Sequence, residues 1–219
     1  METAAALQGP VYAKLCAERV DASADNIVAW FGAPVDDPIL ITTPLTGWFT
    51  CAAERGPGIA IALELCAEMA ARHPVLFVGT TGHEVDYVGD RAYLAGLSAS
   101  LRPRMILHLG ASLAAAVPGP TPNSQMLAIS RTGTPSPEIF GDPRLMLALA
   151  EGRFLPTDKF NGEGPLWRDA MPNSPLLSVT GAFPQFHTPS DTADRTTDPE
   201  MLATVYTSLR DAVNAVAFR

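Results

Sequence analysis

Val75-Leu76-Phe77-Val78, followed by Thr80-Thr81-Gly82-His83-Glu84-Val85-Asp86-Tyr87-Val88-Gly89, is the stretch around which the chain is organised. Its four leading residues form a compact apolar run with β-branched character and read as a buried strand. Residues 90–95 beyond it read as a helix. An α/β sheet places its chemistry at the carboxyl ends of its strands. Here that end carries adjacent imidazole and carboxylate groups, His83 and Glu84, with a second carboxylate, Asp86, two residues on. Taken alone, a His-Glu pair in a loop reads first as solvated surface, so the rest of the chain has to decide its role.

Working outward, residues 26–31 and 39–43 read as strands, the second of them central, and residues 44–49 as the loop at its end. Residues 52–58 form a connection before an apolar helix at 59–72. Gly56 and Gly58 there permit close backbone approach, and Pro57 suits a helix start. Residues 104–109 read as a strand with His108 near its end, 125–130 as another, and 176–179 as a late one. Helices are expected at 11–19 and 144–151. A final amphipathic helix at 199–216 has Leu202, Val205, Leu209 and Val213 on one stripe. Alternating strands and helices predict an α/β domain, a three-layer sandwich with a mostly parallel, mixed central sheet. Residues 1–219 are expected to form one such domain.

With 219 residues, 47% of them hydrophobic, the chain can bury one sizeable core. A formal net charge of -8 and no basic run argue against nucleic acid, whose phosphates need clustered Lys and Arg. No apolar stretch reaches the roughly 20 residues of a membrane span, and the N-terminal residues lack the pattern of a secretory signal. Three Cys without CxxC spacing suggest free thiols and a cytoplasmic protein. The 20 Pro and 17 Gly are unevenly spread: residues 118–122, 132–143 and 156–175 in the second half are rich in both and read as long surface connections of the kind that shape substrate pockets. His73 reads as a surface residue at a helix end and Trp30 as core. Trp48 and Trp167 fall in loops, where each lines a pocket or covers the core.

Four stretches together resemble the zinc aminopeptidase family that also contains the glutaminyl cyclases. The paired strands at 26–29 and 39–41 resemble its opening, and Ala53-Glu54-Arg55-Gly56-Pro57-Gly58 its Asp-Asn-x-Ser-Gly helix start. Gly82-His83-Glu84-Val85-Asp86-Tyr87-Val88-Gly89 resembles its Glu-Glu-x-Gly-x-x-Gly turn. Phe186-His187-Thr188-Pro189-Ser190-Asp191-Thr192 resembles its His-Thr-x-x-Asp-Thr ending most closely.

The departures fall on working positions. Where the family's two-zinc members carry His-x-Asp, this chain reads Pro44-Leu45-Thr46, and His108-Leu109-Gly110 stands where a further Asp ligand is expected. The resemblance therefore implies at most one zinc ion, held by Glu54, Glu84 and His187, with a fourth position open for water. It makes His83 the acid or base, and His108 an extra ligand or a polarising donor. Trp48, Arg55 and Asp86 join His108 as expected pocket residues. The implied function is hydrolase-like action on an amide or similar small-molecule or peptide substrate.

A relative that has lost catalysis and binds a small molecule or protein partner in the old cleft is the alternative. A third arrangement sets His83 and His108 beside Cys51, Thr43 or Ser112 as nucleophile and base. The chain is short for the family, so a homo-oligomer would be one way to wall the cleft.

Overall fold

β2 (Ile39–Pro44), β3 (Val75–Thr80) and β4 (Met105–Leu109) are buried along their whole length. Strands read this way only when both faces of a sheet are covered. The computed structural model describes residues 12, 14–18, 20–114, 124–130, 153–155 and 162–218. Four further strands complete a seven-stranded sheet: β1 (Ile27–Phe31), β5 (Ser124–Ser130), β6 (Arg153–Leu155) and β7 (Leu176–Ala182). Their spatial order is β1-β3-β2-β4-β7-β5-β6. β1 on β3 and β5 on β7 run antiparallel; the remaining neighbours are parallel.

Period-two alternation sorts the side chains of the central strands into two cores. On one face Ile39, Ile41, Val75, Phe77, Met105 and Leu107 pack with Ile61, Leu65 and Met69 of α1 (Ala52–Met69) and with Val205, Leu209 and Val213 near the chain's end. On the other, Leu40, Leu76, Val78 and Ile106 pack with Trp167 and Met171, and Tyr93 and Leu94 close over them. Those last residues belong to or adjoin α2 (Val88–Ala95) and α3 (Gly164–Ala170). A short α4 (Ala193–Thr196) leads to α5 (Pro199–Ala217), whose N-cap Asp198 accepts from the Met201 N–H at 2.8 Å. The stripe expected for that helix is the face that is buried. The result is the three-layer α/β sandwich expected from the sequence.

Several boundaries differ. α1 begins at Ala52 and not at residue 59, so Glu54 and Arg55 lie on its first turn. The helix runs through Pro57, which lacks the N–H that would bond the Ala53 carbonyl. Asp191 supplies the missing start signal from afar: its two carboxylate oxygens accept from Ala53 N at 2.8 Å and Glu54 N at 3.1 Å. α3 falls in a stretch read as a connection, and β6 in residues to which no element was assigned. The described part of the expected 11–19 helix, Tyr12 and residues 14–18, has no regular structure, while the 144–151 helix lies outside the described residues. His73 is half-buried, with Nε2 2.7 Å from the Asp37 carbonyl.

Candidate functional site

The carboxyl ends of β2, β3 and β7 bring together the first turn of α1, a 3-10 turn at His83–Val85, and the loop holding His187. The 3-10 turn is set by left-handed backbone at Gly82 on one side and at Asp86 and Tyr87 on the other, with φ between 57° and 72°. Gly89 closes it against Thr81 and Asn26, where a Cβ would lie 2.3 Å from the Thr81 carbonyl oxygen and 2.5 Å from Asn26 Oδ1.

The three residues expected to ligate an ion do converge, but on a side chain. Arg55 Nη2 lies 3.0 Å from Glu54 Oε1 and 3.3 Å from Glu84 Oε1. His187 Nε2 is 3.2 Å from the same Glu54 oxygen. Arg55 Nε donates to the Thr46 carbonyl at 2.6 Å, and Thr46 Oγ1 donates to Glu84 Oε2 at 3.0 Å. So Thr46, standing where the resemblance led us to look for a metal-binding His-x-Asp, ties arginine and carboxylate to each other. Burial pushes the Glu54 carboxyl above its ordinary range against the pull of Arg55 and His187, and the Glu84 charge adds to that push. The guanidinium supplies counter-charge to buried Glu54 and half-buried Glu84.

A zinc ion does not fit this arrangement. Zinc would need the Glu54 and Glu84 oxygens at about 2.0–2.2 Å, and Arg55 Nη2 already sits 3.0 Å and 3.3 Å from one oxygen of each, so ion and guanidinium compete for the same carboxylates. Among the described residues no group of three or more His, Cys, Asp or Glu side chains is arranged to hold a metal. Glu54 and Glu84 are here the partners of Arg55, and His187 bears on Glu54 beside it. Arg55, 2% exposed, fills this spot and does not line an open pocket.

A second cluster sits beside the first. Glu163, only 1% exposed, bonds His83 Nδ1 with one oxygen and lies 3.2 Å from His108 Nε2 with the other. His108 Nδ1 is 2.7 Å from Ser178 Oγ. Burial works to raise the Glu163 pKa, but the hydrogen bonds and charges of His108 and His83 outweigh it and hold the carboxyl far below its usual range. Asp90, nearby, accepts from Trp167 Nε1 at 2.9 Å. Burial, reinforced by the Glu163 charge, pushes its carboxyl up. Sequence reading missed Glu163, which lies in a Pro- and Gly-rich stretch; its place just before Gly164-Pro165, a helix start, was the one local signal.

The remaining expected residues divide. His108 is buried and does not line an open cleft. Asp86 is on the surface, paired with Arg91 at 3.1 Å. Trp48 is 52% exposed in the loop after β2, whereas Trp167 is core. Neither imidazole bonds Cys51, Thr43 or Ser112: both bond Glu163, and Thr43 and Ser112 are buried. Burial, followed by the Glu54 charge, raises the Cys51 thiol pKa, which disfavours the nucleophilic thiolate.

By sequence, no family model and no curated protein matches the chain. By structure it is similar to a zinc aminopeptidase from Bacillus subtilis, with a TM-score of 0.65 and 16% identity over 87% of this chain and 49% of that one. An aminopeptidase from Aneurinibacillus sp. strain AM-1 gives 0.63 and 17%, over 87% and 47%. A glutaminyl cyclase from Tannerella forsythia gives 0.57 and 14%, over 86% and 77%. At these identities the likeness establishes the fold, which is that of the zinc aminopeptidases. The chain spans about half the length of the two aminopeptidases it matches.

Proposed function

We propose that this chain is a relative of the zinc aminopeptidases that binds a small molecule or peptide in the cleft at the strand ends without a resident metal ion. The position of Arg55 Nη2 between Glu54 and Glu84 carries this reading. Its single positive charge offsets one of the two carboxylates, as an ion would, yet a guanidinium neither polarises a carbonyl as a Lewis acid nor activates a bound water. In this reading Arg55 takes the position that the single ion of the mononuclear zinc hydrolase implied by the resemblance would need.

The His187 ring, stacked on Phe186 with centroids 3.9 Å apart, adjoins this charged floor, and exposed Trp48 follows Thr46 by two residues. Such a combination suits a ligand with a planar amide or peptide group. The test is metal analysis of protein purified without chelator, together with calorimetric titration of a dipeptide panel into wild type and Trp48→Ala. Far less than one zinc per chain, with saturable binding weakened at least tenfold in the variant, is the expected result. About one zinc per chain with chelator-sensitive hydrolysis of an aminoacyl anilide would overturn the proposal.

A further inference from the structure

At the other end of the sheet, where β4 and β7 begin, a cavity of about 440 Å³ opens between the connection that follows α2 and the one that follows α3. It lies one strand length, roughly 15 Å, from the cleft at the carboxyl ends. Its walls are fixed by the fold. On one side Ser100 Oγ donates to Asp36 Oδ1 at 2.7 Å and the Arg102 N–H to the Asp36 carbonyl at 2.6 Å. On the other the Ser174 N–H donates to the Met171 carbonyl at 3.1 Å, and Pro175 accepts from the Ile106 N–H at 2.8 Å. Buried Met171, with Leu94 and Leu97 packed on the second core, gives the cavity an apolar floor.

The polar groups around this floor are unspent. Arg102 Nη1 donates to the Leu101 carbonyl at 2.8 Å, but among the described residues no carboxylate pairs with the guanidinium. Arg104, two residues on, is by contrast neutralised by Asp37 at 2.8 Å. The side chains of Asn173 and Ser174 likewise have no hydrogen-bond partner among the described residues. The chain carries a net charge of -8, yet Arg102 is the one charged residue among those described as lining the cavity. A preformed apolar hollow with a few convergent polar groups is the usual form of a small-molecule site, and a free guanidinium fork selects a carboxylate.

We propose that this cavity is a second binding site, for a small carboxylate that also carries an amide and an apolar side chain, as an N-acyl amino acid does. Arg102 would take the carboxylate, Asn173 and Ser174 the amide, and Leu94, Leu97 and Met171 the apolar side chain. The site is separate from the strand-end cleft and stands whether or not that cleft binds a ligand.

The test titrates N-acetyl-leucine and its neutral counterpart N-acetyl-leucinamide into the 15N-labelled full chain, followed by backbone amide shifts. Saturable shifts are expected in residues 94–102 and 170–174, with the amide about tenfold or more weaker than the acid, the scale of one charge-assisted contact. Arg102→Gln, a change at an exposed side chain, is expected to bring the acid down to the level of the amide and to leave the amide unchanged. Ala170→Trp, which fills the cavity from an exposed position on its wall, is expected to abolish both. Should Ala170→Trp not fold, Arg102→Gln still decides. Equal affinities for acid and amide, an acid affinity unmoved in Arg102→Gln, or no saturation by about 10 mM would overturn the proposal. So would shifts confined to the first turn of α1 and to His83–Val85, an outcome that leaves the cleft reading intact.

Discussion

Arg55 directs Nε to the Thr46 carbonyl and Nη2 to Glu54 and Glu84, so its removal strips two carboxylates of their counter-charge at once. Breaking a buried pair by deleting one partner costs about 3–5 kcal/mol. Arg55→Ala is expected to lose stability in that range by urea unfolding. The vacated space then lies among two carboxylates and an imidazole, a donor set that suits zinc. Zinc is accordingly expected to restore part of the stability of Arg55→Ala, about 2.7 kcal/mol at a hundredfold excess over its dissociation constant, and to leave wild type unchanged. Equal zinc responses in the two proteins would contradict this account. Glu163 gives a pH prediction of definite sign. Its folded pKa lies below its ordinary value of 4.5, so the stability it contributes is fully present above about that pH. It is lost as pH falls below 4.5 towards the depressed folded value. The stability difference between wild type and Glu163→Gln should therefore be flat above about pH 4.5 and shrink steadily below it, as urea midpoints at a series of pH values will report.

The first turn of α1 carries both Glu54 and Arg55, and what fixes that turn is Asp191, which is separated from Ala53 by 138 positions and also accepts from Thr196 Oγ1 at 2.7 Å. Losing a helix N-cap costs about 0.5–2 kcal/mol. Asp191→Ala is expected to fall at the upper end by thermal unfolding, and Asp191→Asn, which keeps one acceptor oxygen, to lose roughly half as much. The distance between cap and helix explains what was legible in the sequence. Central strands announced themselves as short β-branched runs, and α5 as an apolar stripe behind an Asp-Pro start. The start of α1 did not, because its cap is not local and because Gly56-Pro57-Gly58 reads as a break. α3 has seven residues, too few for a periodic signal. It was the family resemblance that set Glu54, Glu84 and His187 at one site. The guanidinium at their centre was hidden, since nothing in a one-dimensional pattern says which way Arg55 turns. Glu163 was hidden for a related reason: its partners His83 and His108 are 80 and 55 residues away.

Across the molecule, the two cores meet at β2, β3 and β4, while β1 is an edge strand whose first two residues are exposed. Local opening follows burial, so hydrogen exchange should be slowest in Ile39–Pro44, Val75–Thr80 and Met105–Leu109 and faster in Ile27–Phe31. The same measurement examines how the site is held. Were a metal ion tying α1, the turn at His83–Val85 and the His187 loop together, a chelator would release three segments that are distant in sequence. They are joined instead by Arg55, Thr46 and Asp191, through bonds that a chelator does not touch. Exchange in α1 and in the His83–Val85 turn is therefore expected to be identical with and without EDTA. Both should speed up in Arg55→Ala, and there zinc should slow them again. Faster exchange in wild type on adding EDTA would mean that an ion, not the arginine, organises the cleft.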